Sequence, residues 1–346
     1  MTISLVKDQS RRWYGVYQAR LDCWVPEASL HPGKMQFGLC HRLLDHLEDL
    51  GLLRPGMTIL DPMAGVGTTA MCAVSRGYRA VTIDLEQLFV DMQAGCECTG
   101  TPLDGCGGVP GDPTYYRHGH HVCPACQRGL ADALAHKSDF YSGKHFYEGN
   151  LQLVQKVLCK SVSWDILQGD ALTTHQLLTL KDLVGPTVVV MSPPYLDALS
   201  NHIPESTLDA FGKVKSSHNI GSTYVGGLHY SNNPNNIGNS APLYKKVMPE
   251  IYASLAQCAS VIVTVTKNPT KAKRIVRLDK FTYKFLREAG WRVTDYHRAI
   301  LWEIQVQGGL WQEKRIPRGR IGFFKRYDLA RGLPAANYED ILIGVK

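Results

Sequence analysis

The sequence predicts an α/β fold built on a mostly parallel, twisted sheet. Three observations carry this. Short apolar runs of strand length alternate with segments of helical period. The first such run opens through a glycine-rich turn into a helix, the βαβ arrangement of an open sheet. With 346 residues, 44% hydrophobic and 20% charged, the chain can cover a sheet on both faces.

The elements follow in order. Residues 1–30 are mixed, with Trp13, Tyr14, Tyr17 and Trp24. Residues 37–53 place Leu39, Leu43, Leu44, Leu47 and Leu50 at helical spacing, and Gly51 with Arg54-Pro55-Gly56 ends that helix. Met57–Leu60 reads as a buried strand, Pro62–Gly67 as a tight loop, Thr68–Ser75 as a helix and Ala80–Ile83 as the next strand. Residues 95–130 break the pattern with Cys, Gly, Pro and His, and read as an insertion. A helix near 151–158 precedes a strand from Trp164 that ends at Asp170, and then the apolar run Thr187–Met191. Residues 196–242 carry little periodicity, and a stretch that long in a compact domain implies function or disorder. Helices at 244–256 and 281–289 and strands at 261–266, 292–301 and 340–345 complete the sheet, the last strand expected antiparallel.

Composition excludes several classes. The hydrophobic fraction is too high for a disordered chain. No window approaches the roughly 20 apolar residues of a membrane span, so no membrane partner is expected. Met1–Ser10 lacks the apolar core of a signal segment, which predicts a cytoplasmic protein whose 10 cysteines stay reduced. Net charge is +7, and its distribution matters more than its size. Residues 267–331 hold 17 Lys and Arg against 6 Asp and Glu, a basic segment suited to a polyanion.

The glycine loop Asp61-Pro62-Met63-Ala64-Gly65-Val66-Gly67-Thr68-Thr69 is the first functional signal. Gly65 and Gly67 allow a sharp turn and a close ligand approach. Asp84, at the end of the next strand, is placed to bond ribose hydroxyls. Asp61 separates the possible ligands: a carboxylate at that strand tip repels a pyrophosphate but suits a cationic amino-acid group. That favours S-adenosylmethionine over a dinucleotide. Asp170, after the third strand, can accept from an adenine amine.

Ser192-Pro193-Pro194-Tyr195 follows the apolar run. Two prolines cannot donate ladder bonds, so the strand stops there, at the edge of the sheet where such folds bind ligands. Ser192 and the Pro193 carbonyl suit the N–H groups of a planar amine, and Tyr195 offers a face for stacking.

In this order, DPMAGVGTT, Asp84, Asp170 and SPPY resemble the S-adenosylmethionine-dependent DNA methyltransferases of exocyclic amines, the N4-cytosine and N6-adenine family. HPGKM (residues 31–35) is similar to the family's cofactor-loop motif. The resemblance covers residues 31–94 and 164–301 and the last strand. It implies a Rossmann-like class I methyltransferase fold. It implies cofactor contacts from His31, Lys34, Asp61, Pro62, Ala64, Gly65, Gly67, Thr68, Thr69, Asp84 and Asp170, and catalysis by Ser192, Pro193, Pro194 and Tyr195. Ser in the first position is typical of the N4-cytosine branch; N6-adenine is the second reading. An RNA methyltransferase, or an inactive core that only binds nucleic acid, is the third. A 5-methylcytosine enzyme would need a cysteine nucleophile, and no Pro-Cys dipeptide occurs.

Two further regions carry expectations. Cys96, Cys98, Cys123 and Cys126 have the spacing of a zinc knuckle, with Cys106 or His121 as substitutes. A structural zinc would fold an insertion that has no core of its own. Lys314, Arg315, Arg318, Arg320, Lys325 and Arg326, interleaved with Phe323, Phe324 and Tyr327, are expected to face DNA. The expected organisation is a core of residues 1–94 and 131–346, with a zinc insertion at 95–130, a DNA loop at 196–242 and a basic insertion at 303–338. The partner expected is DNA, with a cognate restriction endonuclease as a further possibility.

Overall fold

Val188-Val189-Val190-Met191 has nothing to offer water on either face, and with Thr187 it forms a strand at the centre of the sheet with all five residues buried. The computed structural model of the chain describes residues 12–16, 35–94, 150–158, 161, 163–183, 185–194, 235–271, 274–307, 314–319, 332 and 338–346. In chain order the elements are β1 (Arg12–Val16), α1 (Phe37–Asp49), β2 (Thr58–Asp61), α2 (Thr68–Ser75), β3 (Arg79–Asp84), α3 (Gln87–Ala94), α4 (Asn150–Leu158), β4 (Trp164–Gln168), α5 (Thr174–Leu180), β5 (Thr187–Met191), α6 (Ala241–Leu255), β6 (Val261–Thr266), β7 (Thr270–Lys271), β8 (Arg274–Ile275), α7 (Leu278–Glu288), β9 (Arg292–Gln307), β10 (Lys314–Gly319) and β11 (Tyr338–Val345).

The main sheet has the order β1-β9-β11-β6-β5-β2-β3-β4, with β10 paired to β9. β2 to β6 run parallel in their pairings. β11 lies antiparallel between β6 and β9, as expected of the last strand. This is a Rossmann-like, doubly wound sheet. From β2 the chain steps outward to β3 and β4, then returns to the other side of β2 through β5. The direction of winding therefore reverses between β2 and β5. Open sheets leave a crevice at such a reversal, beyond the carboxyl ends of the strands.

Alternation along the strands sends side chains to two cores. One face takes Ile59, Val188, Val190 and Val263 against Leu39, Leu43, Leu44 and Leu47 of α1 and the buried face of α2. The other takes Leu60, Val189, Met191 and Ile262 against Met248, Ile251, Tyr252 and Leu255 of α6 and Phe285 and Leu286 of α7. α1 follows the leucine spacing read from the sequence, and Gly51, at a φ of 66°, sits just past its end.

α1 is also tied to the sheet by a polar cluster. His46 Nε2 and His297 Nε2 lie 2.9 and 2.7 Å from the same Asp295 oxygen. The Trp13 ring stacks on His297 at a centroid distance of 4.4 Å. These contacts join α1, β9 and β1.

The structure adds elements the sequence pattern did not single out: β1, α3, α5, the β7–β8 hairpin and β10. The strand expected to end at Asp170 ends at Gln168, and Asp170 instead caps a short 3₁₀ turn. Among the described residues, no helix is long and apolar enough to cross a membrane.

Candidate functional site

Four strand ends meet at the reversal point. Pro62 and Met63 follow β2, Asp84 closes β3, Asp170 follows β4, and Ser192 and Pro194 follow β5. Residues of all four line one cleft, together with Glu86, Phe89, Asn236 and Ile237. Its apolar walls suit a flat ring, and its carboxylates suit hydroxyl and amine donors.

The turn after β2 is built from the residues that the sequence singled out. Asp84 anchors it: Oδ2 accepts from the Gly65 amide at 2.7 Å, and Oδ1 accepts from the Glu86 amide at 2.9 Å. Gly65 and Gly67 have φ of 52° and 84°, the left-handed region that other residues enter at a cost. The turn's carbonyls are held from the far side. Gln93 Nε2 donates to Gly65 O and Asn150 Nδ2 to Val66 O, both at 2.7 Å.

Two expectations about this turn change. Gly67 was expected to admit a ligand near the backbone. A Cβ there would instead meet Trp164 Cζ2 at 2.9 Å and Gln93 Cγ at 3.0 Å, so the protein's own packing requires the glycine. Asp61 was expected to face a cationic ligand. It is 4% exposed, bonds the Met63 amide at 3.1 Å and the Thr69 hydroxyl, and does not line the cleft.

Burial sets the charge of both acids. Desolvation pushes Asp61 up to about 6, against the bonds from Thr69 and Met63. Desolvation pushes Asp84 up to about 7, against the amides of Glu86 and Gly65, with Glu86 and Asp61 adding repulsion.

The remaining expected residues divide clearly. Asp170 lines the cleft while Oδ1 accepts from the Leu172 amide at 2.9 Å, so it is both a cap and a cleft residue. Pro62 lines the cleft; Ala64, Thr68 and Thr69 are buried behind it. Ser192 lines the cleft and its Oγ is buried with no hydrogen-bond partner among the described residues. Pro194 lines the cleft and Pro193 is buried beneath it. His31, Lys34 and Tyr195 lie outside the described residues, as do Cys96, Cys98, Cys106, His121, Cys123, Cys126, Arg320, Lys325 and Arg326. Lys314, Arg315 and Arg318 lie on β10, which pairs antiparallel with β9.

Sequence reasoning missed Glu86, Phe89, Asn236 and Ile237. The doublet Asp84-x-Glu86 carried a signal, because a second acid two residues beyond a strand end reaches the same edge. Asn236-Ile237-Gly238 carried another: Asn accepts readily from the amide two residues on. Here Asn236 Oδ1 accepts from Gly238 N at 3.0 Å.

No family model matches the sequence, and no curated protein matches it. Among solved structures, a candidate RNA methyltransferase from Pyrococcus horikoshii is similar at a TM-score of 0.38 and 11% identity, covering 96% of this chain and 94% of that one. The magnesium protoporphyrin IX methyltransferase of Synechocystis, with bound SAH, gives 0.37 and 11%, covering 90% and 83%. The precorrin 8W decarboxylase of Methanobacterium thermoautotrophicum gives 0.36 and 11%, covering 94% and 98%. Likeness this distant leaves the reaction to be read from the site itself.

Proposed function

We propose that the chain is an S-adenosylmethionine-dependent methyltransferase that modifies the exocyclic N4 amine of cytosine in DNA. One observation carries the reading: Ser192, whose buried Oγ has no partner among the described residues, lines the same cleft as Asp84, Glu86 and Asp170. A hydrogen-bonding atom left without a partner costs about 1–3 kcal/mol, and a substrate N–H would recover it.

The residues fit the cofactor. Glu86 would accept from a ribose diol beside the turn that Asp84 anchors, Asp170 would accept from an adenine amine, and Phe89 and Ile237 would wall the ring. The cofactor supplies a methyl group on a sulfonium, already activated for transfer. The chain then has to orient the acceptor. An exocyclic amine is weakly nucleophilic because its lone pair is delocalised into the ring. Ser192 Oγ and the Pro193 carbonyl accept its two N–H bonds, which favours a pyramidal nitrogen with its lone pair free. Orientation and electrostatic support would then suffice, without a covalent intermediate, and the proton that the methylated nitrogen must shed would pass to solvent. In a duplex the base must leave the stack first, at a few kcal/mol.

The finer parts of the reading are DNA contact by the basic segment, stacking by Tyr195, and zinc held by Cys96, Cys98, Cys123 and Cys126. Mass spectrometry of nucleosides from plasmid DNA and total RNA of an expressing host tests the reaction. N4-methylcytosine in DNA supports it. N6-methyladenine, or methylation confined to RNA, moves the substrate. No methylated base in either overturns it.

A further inference from the structure

We infer that Asn236 is a positioning residue for the cofactor site, acting through Glu86; this rests on the reading of the cleft as an S-adenosylmethionine site. Asp84 has already committed an oxygen to each of two backbone amides. Glu86 is then the acid with its carboxylate at the wall of the cleft. A glutamate just beyond a strand end has several rotamers, and most do not present both oxygens to a ligand. Asn236 selects among them: its Nδ2 donates to Glu86 Oε1 at 3.3 Å.

The asparagine is itself held. Its Oδ1 accepts from the Gly238 amide, so the side-chain amide cannot turn over without breaking that turn. It is 9% exposed, and little water is at hand to replace either bond. The next residue, Ile237, is 6% exposed and lines the same cleft. One side chain therefore fixes the acid, the turn and the apolar wall together. Fixing the acid before the ligand arrives removes an ordering cost from binding.

The test is calorimetric binding of S-adenosylhomocysteine to the full chain. Asn236→Ala should weaken binding about tenfold, the scale of one hydrogen bond to a charged group. Glu86→Ala should weaken it at least as much. The double variant should bind as Glu86→Ala does, because Asn236 has nothing left to act on. Asn236→Asp guards against simple misfolding: it keeps the acceptor for Gly238 but sets a second carboxylate against Glu86. Its binding should fall at least as far as that of Asn236→Ala, because the carboxylate repels Glu86 where the amide held it. A mere turn-forming role predicts wild-type binding for Asn236→Asp, which keeps the acceptor for Gly238. If the wild-type chain binds no S-adenosylhomocysteine, the reading of the cleft fails and takes the inference with it. If wild type binds but Asn236→Asp matches it, or the Glu86 and Asn236 losses multiply, only the role of Asn236 is overturned.

Discussion

The Gly65 amide donates to the buried Asp84 carboxylate at 2.7 Å and so ties the turn after β2 to the tip of β3. Neighbouring strands are thereby locked together where the cleft begins. Asp84→Asn keeps one acceptor and turns an NH₂ towards the other amide. The variant should lose about 1–3 kcal/mol of stability in urea unfolding, and its affinity for S-adenosylhomocysteine should fall. Unchanged stability would mean that the turn holds without the carboxylate.

Ionisation of the two buried acids should make the ligand-free protein pH-sensitive. Burial raises Asp61 to about 6 and Asp84 to about 7, both above unfolded values near about 4. A raised folded value favours the protonated form. Its contribution is fully present below about pH 4 and is lost as pH rises through 6 and 7. Unfolding free energy should therefore decline between about pH 4 and 7, and Asp84→Asn should flatten part of that decline.

Asp295 should act in the opposite sense and in a lower window. Burial alone would raise it, but hydrogen bonds from His297 and His46 hold it well below the usual carboxylate range. Its stabilisation is present above about pH 4 and is lost as pH falls through the lowered value. Wild type should weaken below about pH 4, and Asp295→Asn should show less of that loss. An equal acid limb in both would remove the cluster from the account.

Gly67→Ala should destabilise through two separate causes. Its φ of 84° disfavours any side chain, and the new methyl would collide with Trp164 and Gln93. Together these should cost about 2–4 kcal/mol, read as a drop in thermal midpoint with changed tryptophan fluorescence. Trp164→Leu in the same chain should recover only the part of the collision that Trp164 causes.

Ser192→Ala should lower methyl transfer by about 100-fold or more while leaving S-adenosylhomocysteine affinity near wild type. Single-turnover transfer and calorimetry separate the two. Unchanged turnover would remove Ser192 from the chemistry.

The central strands were legible because Val188–Met191 and Val261–Val263 are apolar without interruption, which only a doubly covered position explains. The turn at Gly65 and Gly67 was legible from glycine spacing. The purpose of Gly67 was not, because Trp164 lies 97 positions along the chain. β1 was hidden for a related reason. Arg12–Val16 has no period of its own and is a strand only because β9 supplies its partner. Glu86 and Asn236 are 150 positions apart, and their contact depends on how α6 packs over the sheet.

The place of β11 in the sheet has a consequence for assembly. Among the described residues, β9 meets the parallel strands only by way of β11, which is bonded to β6 on one side and β9 on the other. A chain that has formed β2 to β6 still carries an open flank along β6. Such a flank invites pairing with another molecule until the missing rung slots in. Molecules cut short before Tyr338 should therefore clump rather than simply lose activity.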